Sequence, residues 1–308
     1  MKPRIFFLLS LVAFAPAWAD DFKFKADDSV VFVGNTVIER AQKYGYVETA
    51  LSLAAGDMPL RFRNLGWSGD TVYCDARSYF GPPQEGFDRL KAGLTEIKPS
   101  VLIVCYGAVA AFEGEAGVEN FTAGYNRLLD MMAAAAESRA IILVSPPPAQ
   151  NLGAPLPSMD EHNQRLSSYR DIIKGIAEKR GHQFADLFEA MGAGKVGDRE
   201  QILTDNGLHY TEEGYKVLGQ KLAESIGLAP PSDQQLLSES GVALRQMIVT
   251  KNLLYFQHWR PSNETYLRLF RKHEQGNNAK ELELFTPLIE SRETEIGALK
   301  RAALEAKS

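Results

Sequence analysis

Val30-Val31-Phe32-Val33-Gly34-Asn35-Thr36 is a β-branched run that stops at a glycine, and a helical pattern from about Ile38 to Leu53 follows it directly. A short apolar strand feeding a helix is the repeating unit of a parallel sheet. The unit recurs down the chain. Leu60, Phe62 and Leu65 lead to Gly66. Val101-Leu102-Ile103-Val104-Cys105 leads to Gly107, and its unbroken apolar character suits a strand buried on both faces. Val118, Phe121, Tyr125, Leu128 and Met132 then mark one stripe of a helix. Ile141-Ile142-Leu143-Val144 is a further buried strand, stopped by Pro146-Pro147-Pro148. A helix from about Asp160 to Lys179, a short strand around Phe184 to Leu187 and a helix carrying Tyr215, Leu218 and Leu222 complete the alternation. Thr211 is the expected N-cap of that last helix, with Glu212 and Glu213 in its first turn. The expected architecture is α/β, a parallel sheet with helices on both faces.

Three segments follow from this reading. Residues 1–19, MKPRIFFLLSLVAFAPAWA, have the form of a cleaved signal peptide: Lys2 and Arg4, an apolar run from Ile5 to Phe14, and Ala17-Trp18-Ala19 as the cleavage site. That run is too short to span a bilayer of about 30 Å. Secretion or delivery to a periplasm is therefore expected. Residues 20–229 form the sheet domain. The composition shifts at Ala229-Pro230-Pro231, and residues 230–308 are expected to be a helical extension, with helices over about Asp233 to Lys251 and Thr286 to Glu305. Thr286 followed by Pro287 has the form of an N-cap and first helical residue. Between these helices, Phe256 to Pro261 sets aromatics beside basic groups, most simply a packing clasp between extension and core.

Composition narrows the function. A chain of 308 residues with 45% hydrophobic and 24% charged residues has material for a large core and is not a disordered chain. A net charge of −5, which becomes more negative once Lys2 and Arg4 leave, offers no basic footprint for nucleic acid. Two cysteines exclude a disulfide scaffold. Export would permit Cys74 and Cys105 to pair, but two buried thiols are the simpler reading. Asn120 and Asn263 begin glycosylation sequons, relevant only in a eukaryotic host. His162, His182, His258 and His273 are scattered without zinc-site spacing, so no metal or other cofactor is expected.

In open parallel sheets, ligands bind outside the carboxyl ends of the strands. The residues there are Gly34-Asn35-Thr36, Ser68-Gly69-Asp70-Thr71, Gly107-Ala108-Val109 and, late in the chain, Asn206-Gly207-Leu208-His209. In this order and spacing they resemble the four blocks of the SGNH (GDSL-type) hydrolase superfamily, over about Ser29 to Ile226. The resemblance implies a flavodoxin-like three-layer α/β/α fold and ester hydrolysis on acyl chains, acetylated sugars or lipids. It puts Thr36 at the nucleophile position, Gly69 at the oxyanion glycine and His209 at the catalytic base. Three positions depart from the family: Thr36 stands for the nucleophilic serine, Val109 replaces the oxyanion asparagine, and Asn206 stands where the triad aspartate belongs, with Asp205 one residue earlier. Secreted SGNH-like proteins with Gly-Asn-Thr in the first block and a helical C-terminal extension are the subfamily this chain most resembles.

These departures weigh on chemistry. Threonine is bulkier than serine and stiffer at χ1. Asn for Asp in a triad costs about 10⁴ in rate, and one lost oxyanion donor about 10²–10³. Asp205 offers compensation if it faces His209, and Ser68 or Asn35 if either donates in place of Val109. Each residue also has a plainer reading: Thr36 a capping hydroxyl, His209 a structural histidine, Asp205 a solvated turn residue, Gly34 and Gly107 simple turns. Three functions stay open. The first is an exported ester hydrolase with a degenerate catalytic site (Thr36, His209, Asp205, Asn206; oxyanion amides of Thr36 and Gly69). The second is a non-catalytic ligand- or glycan-binding protein on the same fold. The third is an interaction module using the extension. The expected partner is a small-molecule or glycan ester, with no transmembrane segment and an open oligomeric state.

Overall fold

The computed structural model describes residues 22–194 and 201–306; the signal-peptide reading of residues 1–19 lies outside them. In chain order the elements are β1 (Asp28–Gly34), α1 (Thr36–Tyr44), α2 (Tyr46–Ala54), β2 (Leu60–Asn64), α3 (Pro83–Ile97), β3 (Val101–Cys105), α4 (Val118–Ala135), β4 (Ala140–Val144), α5 (Asp160–Arg180), β5 (Gln183–Ala185), α6 (Leu187–Ala190) and α7 (Glu212–Ser225). The C-terminal region adds α8 (Asp233–Leu237), α9 (Glu239–Trp259), α10 (Glu264–Leu267), α11 (Lys272–Gln275) and α12 (Phe285–Glu305).

All strand pairings are parallel, in the order β2-β1-β3-β4-β5. Alternate residues of each strand point to opposite faces, so the sheet separates two cores. Val31, Val33, Leu102, Val104 and Leu143 pack with α3, α4 and α5 through Leu90, Leu128 and Tyr169. Val30, Phe32, Val101, Ile103, Ile142 and Val144 pack on the other face with α1, α2 and α7 through Ile38, Leu51 and Tyr215. This is the expected three-layer α/β/α architecture. The strand order reverses direction between β1 and β3, which opens a crevice at their carboxyl ends. Gly34 pairs there with Cys105. A Cβ at Gly34 would lie 2.4 Å from the Cys105 carbonyl oxygen, so this glycine serves close strand approach rather than a turn.

Several local expectations are corrected. The helix expected over 38–53 is two helices, because Gly45 takes the left-handed conformation (φ 74°) and ends α1. Asn35, not Thr36, is the N-cap of α1 and accepts from the Val37 amide. Thr211 caps α7 as expected, accepting from Gly214 N. Thr286 caps nothing: a 3₁₀ segment, Gly276–Leu284, runs directly into α12, so Thr286 and Pro287 fall inside its first turn. The helix expected to end near Lys251 continues as α9 to Trp259, so the aromatic-basic segment is mostly its last turns.

The C-terminal helices lie against the β2 edge. Leu236, Leu244, Ile248, Ile296 and Ala303 form a small core with Leu53 of α2. Lys251, fully buried, meets Glu48 at 2.8 Å and donates to the Phe62 carbonyl of β2 at 3.1 Å. Buried Glu264 binds both Arg89 of α3 and the Tyr79 hydroxyl. Cys74 and Cys105 are free, buried thiols, and burial pushes both up to about 12. Among the described residues no helix is long and apolar enough to cross a membrane.

Candidate active site

The first turn of α1 begins at the sheet's carboxyl edge, which brings Thr36 to the crevice as the first residue of the helix. Its own amide lies outside the helical ladder, as first-turn amides do, and remains available as a donor. The Thr36 hydroxyl accepts from Gly69 N at 3.0 Å. Gly69 reaches that position at φ +75°. Its turn is anchored from below. Asp70, fully buried, takes Arg77 Nε at 2.6 Å and the Tyr106 hydroxyl at 2.8 Å, and Arg77 also donates to Leu65 O at 2.8 Å. The turn is also anchored from the side. Ser68 N donates to Glu39, and Glu39 takes Arg260 Nη1 at 3.0 Å. The Arg260 guanidinium lies 3.5 Å from the Trp67 ring centre, and Trp259 meets Trp67 edge-on. Trp259-Arg260 is thus a clasp between the extension and the Gly69 turn.

The loop before α7 carries His209. Thr204 and Tyr210 form an isolated antiparallel bridge, and Asp205 N donates to His209 O, which closes a tight turn. Asn206 is the pivot of that turn. Its Oδ1 accepts from Leu208 N at 3.0 Å and His209 N at 2.8 Å, and its Nδ2 lies 3.3 Å from His209 Nδ1. The two backbone donors fix which end of the amide is oxygen. The NH₂ therefore faces the imidazole, Nδ1 is the acceptor, and in the neutral ring the proton sits on Nε2. A triad aspartate does the opposite, accepting from Nδ1–H and leaving Nε2 free as a base. Among the described residues Asp205 is the nearest carboxylate. Its Oδ1 is 4.0 Å from Nδ1, beyond hydrogen-bond reach, and it also lies 3.6 Å from Arg40.

Thr36, Val109 and His209 line one cavity of about 190 Å³, with Asn35, Arg40, Phe112, Pro147, Pro148, His162, Leu166 and Leu208 among its other walls. Gly69 reaches the site only through Thr36 and does not line the cavity, and Ser68 is likewise outside it. No hydrogen bond joins Thr36 and His209 among the described residues. The Val109 side chain has only methyl groups to offer the cavity. Asn35, 2% exposed, spends its oxygen on Val37, so its amide nitrogen is the group left to donate.

Sequence reasoning missed four neighbours of this site. Arg40 lies one helical turn after Thr36, a spacing that places both on one face of α1. His162 lines the cavity from α5 under the ring of Phe112, with centroids 4.1 Å apart. Burial, aided by Arg165, holds its pKa below the ordinary value, so the ring is neutral. Arg77 and Tyr106 gave no sequence signal as the buried support of Gly69. Among the described residues no three metal-ligating side chains cluster.

Comparison with known proteins agrees with this fold. Solved structures of similar fold include an acetylxylan esterase from Geobacillus stearothermophilus, 18% identical, covering 67% of this chain and 97% of that one at a TM-score of 0.51. A variant of the acetyl xylan esterase from that organism matches over 69% of this chain and all of its own at 16% identity and a TM-score of 0.54. An alpha/beta hydrolase enzyme from the metagenome of Lake Arreo, Spain, is 18% identical over 66% of this chain and 97% of that one, with a TM-score of 0.51. At such identities the likeness is one of fold. A comparison with curated proteins gives no match. Residues 28–217 match the model of the GDSL-like Lipase/Acylhydrolase family, which spans β1 to α7 and every strand-end block described above, and the chain belongs to that family.

Proposed function

We propose that the protein is an exported ester hydrolase that removes acyl or acetyl groups from a small molecule or carbohydrate, through a site that has lost part of its machinery. The carrying observation is that Thr36 and His209 line one small cavity at the switch point of the sheet. Its volume equals about six water molecules, enough for an acyl group rather than a long chain. Acetylated carbohydrate as the substrate class draws support from the esterases of similar fold. Export draws on residues 1–19, and the first-block Gly-Asn-Thr with a helical extension matches the secreted subfamily.

In this reading the Thr36 hydroxyl oxygen attacks the ester carbonyl carbon. The amide of Thr36 holds the oxyanion, joined by that of Gly69 once it leaves the Thr36 hydroxyl. The alkoxide leaves with a proton from the histidine, and water then cleaves the acyl-threonine. His209 serves as base only after its proton moves from Nε2 to Nδ1, where Asp205 must close its 4.0 Å gap to accept it. That requirement predicts slow turnover. Purified protein should release acetate from p-nitrophenyl acetate and acetylated xylooligosaccharides. Thr36→Ala and His209→Ala should each abolish the release; unchanged rates in both variants overturn the mechanism. N-terminal sequencing of exported protein should begin at Asp20.

One observation favours a second reading, a binding protein without turnover: the Asn206 amide makes His209 Nε2 a donor. Calorimetric binding of acetylated oligosaccharide with no acetate released over days would select it.

A further inference from the structure

We propose that the ligand of the Thr36–His209 cavity carries a carboxylate, held by Arg40: an ester of a sugar acid or of another small hydroxy acid rather than of a neutral alcohol. The inference deepens the proposed function and rests on that cavity being the ligand site.

Three residues of the cavity wall, Arg40, His209 and Asn35, have hydrogen-bond donors to offer a ligand. Arg40 contributes a guanidinium. His209 presents Nε2–H, because Asn206 fixes its tautomer. Asn35 has its amide nitrogen to spare. No carboxylate lines the cavity among the described residues. Among the described residues the acid nearest these groups is Asp205, which is outside the cavity lining and has its side chain 52% exposed.

Arg40 is also under-satisfied. Nε and Nη2 form the side of the guanidinium that takes a carboxylate through two parallel hydrogen bonds. Nε is buried with no partner among the described residues, and Nη2 has only Asp205 Oδ2 at 3.6 Å, too long for a hydrogen bond. A buried donor left unpaired is costly. A ligand carboxylate removes the cost once the guanidinium turns this buried fork to the cavity, with Asp205 as a weak placeholder that gives way.

His162 is a second under-satisfied group on the same wall. It is 8% exposed, lines the same cavity, and its buried Nδ1 has no hydrogen-bond partner among the described residues. Being neutral, it can donate or accept, which suits a hydroxyl next to a carboxylate. The apolar walls, Pro147, Pro148 and Leu166, leave room for the carbon frame of a small acid.

The test is equilibrium binding to the purified protein at neutral pH, by calorimetry and by the imidazole proton resonances of His162 and His209. The probes are glucuronate against glucose, and lactate against lactamide. At least one acid should bind and shift both histidines, while its neutral analogue binds at least about tenfold more weakly. Preference for glucuronate identifies a sugar acid, and preference for lactate a small hydroxy acid. Arg40→Gln should weaken the acid by about tenfold or more and leave the neutral analogue unchanged. Asp205→Asn, which removes the competing carboxylate, should tighten the acid. Equal binding of acid and analogue, no binding of either acid, or an Arg40→Gln protein that binds the acid like wild type overturns the proposal. Weaker acid binding in Asp205→Asn overturns the placeholder role. Hydrolysis is read separately with p-nitrophenyl acetate, which has no carboxylate, so failure of the proposed activity and failure of the carboxylate anchor give different results.

Discussion

At the scale of the residue, the fate of the site turns on the orientation of one amide. Asn206 keeps the shape of an aspartate: its oxygen receives two backbone amides at 3.0 and 2.8 Å, and its other atom faces His209 Nδ1 at 3.3 Å. Only the direction of that last hydrogen bond is reversed. Asn206→Asp is therefore isosteric, retains both backbone hydrogen bonds and replaces a donor with an acceptor. It should raise kcat for p-nitrophenyl acetate by up to about 10⁴, with KM little changed, since the triad acid acts on the base and not on bound ester. A steady-state assay of the single variant checks this, and an unchanged kcat would mean that His209 is not the base. That an asparagine precedes His209 by three residues was legible in the sequence. The tautomer was not, because it depends on the Leu208 and His209 amides reaching back to Asn206. Arg40 had a readable spacing from Thr36. His162 had none, because only the packing of α5 against the β3 and β4 loops brings it to the cavity.

At the scale of the element, α9 and α12 are held to the sheet domain by buried charge as much as by apolar contact. Glu48 of α2 sits in a buried cage with Lys251 at 2.8 Å and Asn252 at 3.1 Å, and burial raises its pKa above the ordinary value. Lys251→Met strands that carboxyl and the Phe62 carbonyl, and should cost about 3–5 kcal/mol in urea unfolding; Glu48→Leu with Lys251→Met should recover most of it. Lys300 of α12 gives a pH signature. Burial lowers its pKa from 10.5 to about 8, against a weaker opposing pull from Asp57. Between those two values the unfolded chain holds a proton that the folded chain lacks, so unfolding free energy should rise as pH goes from 8 to 10.5. Below that window the cost of charging the buried amine is fully present. Lys300→Met should flatten this rise in pH-resolved denaturant curves. Element boundaries were less legible than elements. Gly45 splits a continuous apolar stripe because its backbone turns left-handed, and α9 runs on to Trp259 because the domain supplies partners for its last turns.

At the scale of the molecule, the alternation of apolar strands and helices was sufficient to read a parallel three-layer fold, and three of the four strand-end blocks meet at one cavity through Thr36, Val109 and His209. The role of the extension was not readable, since it depends on contacts 175 to 230 residues apart in sequence. Those contacts reach β2 at the sheet edge, α2 beside it, and the turn that presents Gly69. Lys251 occupies a carbonyl of the edge strand, Glu264 ties Tyr79 and Arg89, and Trp259 and Arg260 cover Trp67 next to the turn. Removing residues 230–308 would uncover Leu53 and leave Glu48 without its cation. It would also free the edge of β2 to pair with another chain, a known route to aggregation. We expect the truncated protein to express but to associate, visible as a rise in light scattering with concentration, and to expose Trp67, the one tryptophan of residues 20–229, visible as red-shifted fluorescence. Mature protein carrying Trp259→Phe supplies the reference spectrum. A truncated protein that stays monomeric with the same Trp67 emission would make the extension a separate module, and the Gly69 turn would then owe its shape to Asp70, Arg77 and Tyr106 alone.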